Sequence, residues 1–395
     1  MGPQLAWEHR RAVSPRDPDS SGILTTVHVL LRSAFHISRL RQRGVARIGV
    51  VVDADTGATP AAVLELMRPW RSWLTVDSVT VALATPSDAW FRELEAHGCA
   101  AMAVISERTE FIAEAEAAAL PMQVVRCDYE TTSDRDAALL QEVCHHHYEL
   151  GGLDEWDGKA TQYSPNVLQH LSATNCARYF PHYALAELRE RHAEQARPVE
   201  ALDVGSGPVS RLRWGTLEGL LHVTAVDPLL DMYDVLLAYH GFDRLPAIRV
   251  ERPIATGAEG LSRYVAPESL EFACCFNTLD HVEDPSLVIE EMSRVLRPGG
   301  SLALEFATRE GTRQNWHQLH KFDLFLDDEQ TRLICQSEGG ERTTLVSREG
   351  PLAIESVQVA SEDYTAVLLR RRQMSVTKQR RRFAFPAGGL ASRSA

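Results

Sequence analysis

The apolar stretch Glu200–Val204 runs straight into a glycine turn, Asp203-Val204-Gly205-Ser206-Gly207-Pro208. A second apolar stretch, Val223–Val226, ends at Asp227, twenty residues beyond Gly207. Glycines let a backbone turn sharply and approach a ligand, and a carboxylate at the tip of the next strand accepts hydrogen bonds from ribose hydroxyls. This spacing commits the segment to a βαβ unit and hence to a parallel α/β sheet. The same grammar continues. Leu229–His240 reads as a helix closed by Gly241, Ile248–Glu251 as a third strand, and Gly257-Ala258-Glu259-Gly260-Leu261 as a loop. Leu270–Phe276 reads as a fourth strand. A helix carrying Leu287, Ile289, Met292, Val295 and Leu296 stops at Pro298-Gly299-Gly300, and Ser301–Phe306 is a fifth strand.

An independent alternation precedes it. After a loose, proline-containing start, Ser21 caps a helix with Leu24, Val27, Leu31, Ala34, Phe35 and Ile37 on its apolar face. Strands are expected at Ile48–Val52, Val79–Ala84, Ala101–Ile105 and Met122–Arg126, with helices between them. No glycine-rich phosphate loop follows the first of these strands; the sequence there is Asp53-Ala54-Asp55-Thr56-Gly57. Residues 133–195 read as mainly helical and hold Cys144-His145-His146-His147. Three adjacent histidines cannot share one helix face, so no metal is assigned to them. The expected organisation is an N-terminal segment and helix (1–44), a small parallel α/β domain of unassigned role (45–130), a helical connector (131–197), a larger α/β domain (198–372) and a basic tail (373–395).

Length and composition narrow the function. At 395 residues the chain has room for two or three domains. Lys plus Arg total 41 against 54 Asp plus Glu, a net charge of −13, which disfavours a dedicated nucleic-acid binder. No apolar run reaches the ~18 residues of a membrane span, and Met1–Pro18 lacks a signal-peptide apolar core. Seven cysteines without a Cys-x-x-Cys pair fit reduced thiols and a cytoplasmic location.

Five segments in order, DVGSGP (203–208), AVDP (225–228), GAEGL (257–261), NTLDHVEDP (277–285) and RVLRPGGSLALE (294–305), resemble a class I S-adenosylmethionine-dependent methyltransferase. The resemblance spans about 198–370 and implies a Rossmann-like sheet of seven strands, one of them antiparallel near the edge. Arg342–Ser347 and Ser356–Arg370 are the expected last strands. It implies S-adenosyl-L-methionine as cofactor, with Asp203, Gly205, Ser206 and Gly207 at its methionine part and Asp227, followed by Pro228, at the ribose. Ala258 and Glu259 would lie near the adenine, and Asn277 and Thr278 on the sulfonium side. The sequence departs from the family pattern at Val209, where a third glycine is frequent.

Methyl transfer is an in-line attack on a sulfonium, so the protein supplies alignment and a base. Bases are expected at the carboxyl ends of the central strands: Asp280 and His281 after the fourth, His317 and His320 after the fifth. His317 and His320 are also spaced to share a cation with Asp280 or Glu305, but no metal is assigned. The expected activity is transfer to a small-molecule acceptor on O, N or C, in biosynthesis. The absence of an Asn/Asp-Pro-Pro-aromatic motif at 277–280 and the acidic body support this. The alternatives are a protein or peptide methyltransferase whose N-terminal domain recognises the partner, and a non-catalytic cofactor-binding scaffold. The N-terminal domain is also a candidate homodimer surface.

Overall fold

The structure is a computed structural model. It describes residues 31, 34–39, 48–53, 79–84, 101–105, 123–126, 134–151, 182–240, 242, 252–359 and 364–373. The first strands, β1 (Ile48–Asp53), β2 (Val79–Ala84), β3 (Ala101–Ile105) and β4 (Gln123–Arg126), form a parallel four-stranded sheet in the order β2-β1-β3-β4. The helices expected between them, and the basic tail, lie outside the described residues. Helix α1 (Asp134–Gly151) follows, and then α2 (His182–Gln195).

The larger sheet has seven strands: β5 (Val199–Val204), β6 (Leu221–Val226), β7 (Arg252–Ile254), β8 (Leu270–Phe276), β9 (Leu296–Ala307), β13 (Leu352–Val359) and β14 (Tyr364–Arg371). Their order is β13-β14-β9-β8-β5-β6-β7, parallel throughout except for β14, which runs antiparallel to both neighbours. This Rossmann-like arrangement is the one expected from the sequence. The central strands are apolar without interruption because both faces are covered. Along β8, Ala273 and Cys275 enter one core with Val288, Ile289 and Met292, while Phe272, Cys274 and Phe276 enter the other with Leu188 and Leu212. Side-chain alternation in a strand produces this division. Cys274, Cys275 and Cys335 are buried free thiols.

The flanking helices include α3 (Arg213–Leu217), α4 (Leu230–Tyr239), α5 (Pro285–Val295) and α6 (Glu310–Arg313). Helix α5 starts where Asp284 accepts hydrogen bonds from the amides of Ser286 (2.9 Å) and Leu287 (3.1 Å), with Pro285 in the first turn.

Four boundaries differ from the sequence expectations. Pro298-Gly299-Gly300 does not separate α5 from a strand: β9 begins at Leu296, and an irregularity in the β8–β9 pairing absorbs the proline and the positive φ of Gly299. Gly257–Leu261 is not plain loop, since Ala258–Arg263 forms a 3-10 turn. The Ser356–Arg370 stretch is two antiparallel strands, β13 and β14. Arg342–Val346 (β12) is not part of the large sheet. It pairs with β11 (Leu333–Ser337) and β10 (Phe322–Leu326) in a separate antiparallel sheet. The third strand expected at 248–251 lies outside the described residues, and the observed edge strand is β7.

Candidate active site

The sheet's order reverses between β5 and β8, from whose carboxyl ends neighbouring crossovers depart in opposite directions. Such a point opens a crevice for a ligand. Gly205 and Gly207 sit there with φ of +68° and +62°, a left-handed backbone that glycine adopts without steric cost. A Cβ on Gly205 would collide with the Thr278 side chain, so β8's loop packs directly on the glycine turn. A Cβ on Gly207 would find only the His146 ring, at 3.9 Å. The space beside Gly207 is a cradle.

Two carboxylates hold the turn. Asp203 accepts from Ser210 Oγ (2.6 Å) and from Cys274 Sγ (3.2 Å), and burial pushes its pKa up. Asp227 accepts from the amides of Leu229 (2.8 Å) and Gly207 (3.2 Å), while the amides of Gly205 and Ser206 donate to the Val226 carbonyl. Burial raises the Asp227 pKa to about 6 against the pull of those two amides. Ser206 points its hydroxyl at the Gly207 carbonyl (3.3 Å), and Pro228 follows Asp227 half-buried. Ala258 is buried, whereas the Glu259 carboxylate is engaged by the amides of Glu283 (2.8 Å) and Asp284 (3.4 Å). Asn277 has a φ of +49° and a buried side-chain oxygen without a partner among the described residues. Together with the Gly207 cradle and the Asp227 carboxylate, that oxygen fits a nucleoside-bearing ligand with polar groups along its length.

Three of the four expected acid–base residues come together. Asp280 Oδ2 lies 2.9 Å from His320 Nδ1 and 3.3 Å from His281 Nε2, and the two ring nitrogens are 3.1 Å apart. Asp280 is 2% exposed and the imidazoles 18% and 19%. Burial opposes charge on Asp280 and His281. The imidazoles nevertheless hold Asp280 well below the usual carboxylate range, and Asp280 raises His281 to about 9. His317 is exposed and outside this triangle. Trp316 packs against Gly311, and Phe322 joins the main core. Glu305 is paired with Arg211 (3.0 Å), which in turn lies over the Phe276 ring.

Sequence reasoning missed the contribution of α1. Glu142 and His146 pair at 3.2 Å, and the His146 ring meets Tyr233 edge-on at 5.0 Å. Burial works against the Glu142 charge, but His146, His281 and His145 lower its pKa to about 2. A pair from the connector thus lies electrostatically between Asp227 and the histidine cluster. Glu310, whose Oε1 is 3.9 Å from His320 Nδ1, was also missed. The histidine run at 145–147 was the available signal for α1; nothing in the sequence pointed to Glu310.

Residues 202–304 match the family described as a methyltransferase domain. An uncharacterised 37.1 kDa protein in transposon TN4556 of Streptomyces fradiae is 32% identical over 150 residues. That match covers 35% of this chain and only 37% of the relative. Among solved structures, the Burkholderia thailandensis 1,6-didemethyltoxoflavin-N1-methyltransferase, bound to 1,6-didemethyltoxoflavin and S-adenosylhomocysteine, is 16% identical, with a TM-score of 0.29 over 53% of this chain and 89% of its own. An S-adenosylmethionine-dependent methyltransferase from Aquifex aeolicus is 16% identical, with a TM-score of 0.32 over 52% and 97%.

Proposed function

We propose that this chain, which carries an S-adenosylmethionine-dependent methyltransferase domain in its C-terminal half, moves the methyl group to a small-molecule acceptor. The observation that carries the reading is the burial of the Asp280–His281–His320 cluster. Its side chains are all less than one-fifth exposed and begin three residues after Asn277. An extended polypeptide or nucleic acid does not reach groups so enclosed without rearrangement, whereas a small hydroxyl- or amine-bearing molecule does.

S-adenosylmethionine brings the electrophilic methyl, and the protein's task is alignment and proton removal. In this reading Gly205 and Gly207 give the methionine part its close backbone approach. Asp227 accepts from the ribose hydroxyls, and Asn277 offers its side-chain oxygen. Asp280 orients both imidazoles, which place the acceptor on the sulfonium side of Thr278. The polar pair Glu142–His146 walls the opposite flank.

The test has two steps. Calorimetry with S-adenosylhomocysteine measures cofactor binding; no binding would overturn the cofactor assignment. Methyl transfer from labelled S-adenosylmethionine is then followed into separated small-molecule and protein fractions of a cell extract. Label in the small-molecule fraction is the expected result, and label confined to protein would replace it with the protein-methylating alternative.

A further inference from the structure

We propose that Asp280, His281 and His320 form a binding site for a divalent first-row transition-metal ion on the acceptor side of the methyl-transfer site. The inference rests on the small-molecule methyltransferase reading for its role in catalysis, but the site itself stands on geometry. One oxygen and two ring nitrogens form a triangle with sides of 2.9, 3.1 and 3.3 Å. With metal–donor distances of about 2.1 Å, neighbouring donors are about 3.0 Å apart in an octahedron and about 3.4 Å in a tetrahedron. The observed triangle matches an octahedral face. A face of two imidazoles and one carboxylate leaves the opposite positions open, and its nitrogen content favours iron, cobalt, nickel or zinc over magnesium or calcium.

His281 Nε2 and His320 Nδ1 converge on a single carboxylate oxygen and lie within hydrogen-bond reach of each other, so three atoms that can each offer a lone pair face one point. Meanwhile Asp280 Oδ1, on a side chain that is 2% exposed, has no partner among the described residues. Glu310 supplies a further carboxylate: Oε1 is 3.9 Å from His320 Nδ1, and Oε2 is buried without a partner among the described residues. Glu142 adds a third negative group near His281. The surrounding carboxylates favour a cation at the triangle.

An ion here gives the acceptor oxygen a place to bind and acidifies it. The acceptor O–H bond breaks and its proton leaves to solvent. The oxygen's electron pair forms the new O–CH3 bond as the sulfonium C–S bond breaks, and the departing sulfur keeps that bond's electrons in S-adenosylhomocysteine.

The full chain, stripped with a chelator, would be titrated with Co²⁺ by visible absorption and with Zn²⁺ by calorimetry, without cofactor. One equivalent should bind, with affinity reduced at least about tenfold in His281→Ala, His320→Ala and Asp280→Asn. His317→Ala should bind as the unaltered chain does. S-adenosylhomocysteine binding by each variant establishes that it is folded. Absence of Co²⁺ uptake by the unaltered chain, or undiminished uptake in folded His320→Ala, would overturn the site while leaving the methyltransferase reading intact. One equivalent of metal with no S-adenosylhomocysteine binding would support the ion and overturn the methyltransferase reading.

Discussion

Asp227 concentrates the residue-scale argument. Its carboxylate is buried and held at a pKa of about 6 by the balance between desolvation and two backbone donors. A ribose diol needs the ionised form as a double acceptor. Above about pH 6 the side chain is charged and binding should be at its plateau. Below that pH it protonates, and affinity should fall by up to about tenfold per unit. Calorimetric titration of S-adenosylhomocysteine from pH 5 to pH 8 measures this, and an unchanged affinity at pH 5 counts against Asp227 as the ribose acceptor. In Asp227→Ala the loss should be about 1–3 kcal/mol at neutral pH, and the pH dependence should vanish. The carboxylate was legible in the sequence because a strand tip twenty residues after a glycine turn has one geometric meaning. Its amide partners, Leu229 and Gly207, were found only in the structure. Glu310 was not legible, because it reaches His320 from a four-residue helix entered through a left-handed Arg309.

At the scale of elements, the glycine turn and α5 give two separable tests. Gly205→Ala forces a methyl group into the Thr278 side chain and burdens a φ of +68°. The strain is about 1–2 kcal/mol from the backbone alone. Cofactor affinity should fall sharply, and Gly205→Ala/Thr278→Gly, which removes all three opposing side-chain atoms, should recover part of it. Calorimetry on both variants decides, and no recovery would mean that backbone strain alone is responsible. Asp284→Ala removes the cap of α5 and should cost about 1 kcal/mol in denaturant unfolding. The cofactor site is not affected directly, although the amide of Asp284 also binds Glu259. The central strands were readable because their burial on both faces makes them continuously apolar, as in β8. The small sheet β10-β11-β12 was not. Only β12 was expected as a strand, and of the large sheet; the Gly339-Gly340 turn that joins it to β11 was the hairpin signal available for the true pairing. Pro298-Gly299-Gly300 misled for the opposite reason. Such residues normally end elements, but here they sit in an irregular stretch of β9 where ladder pairing is already broken.

At the scale of the whole molecule, the four-stranded sheet lies between two helical segments that both pack on the methyltransferase domain. Within residues 34–39, Ser38 donates to Asp231 of α4 (3.3 Å), and Arg39 pairs with Asp136 of α1 at 2.9 Å. Leu31, Phe35 and Ile37 are buried. Residues 39 and 136 are thus joined by a salt bridge although the four strands β1–β4 lie between them in sequence. Helix α1 places the Glu142–His146 pair beside the glycine turn at Gly207. Replacing residues 44–131 by a short Gly/Ser linker should leave a folded protein that binds S-adenosylhomocysteine within a few-fold of the full chain. Removing everything before residue 182 should weaken binding much more, because the His146 wall beside Gly207 goes with it. Calorimetry and thermal melts on the two deletions separate these outcomes. If both lose binding equally, the four-stranded sheet is structurally required. If the first deletion binds cofactor normally but no longer methylates its acceptor, the four-stranded sheet selects the substrate.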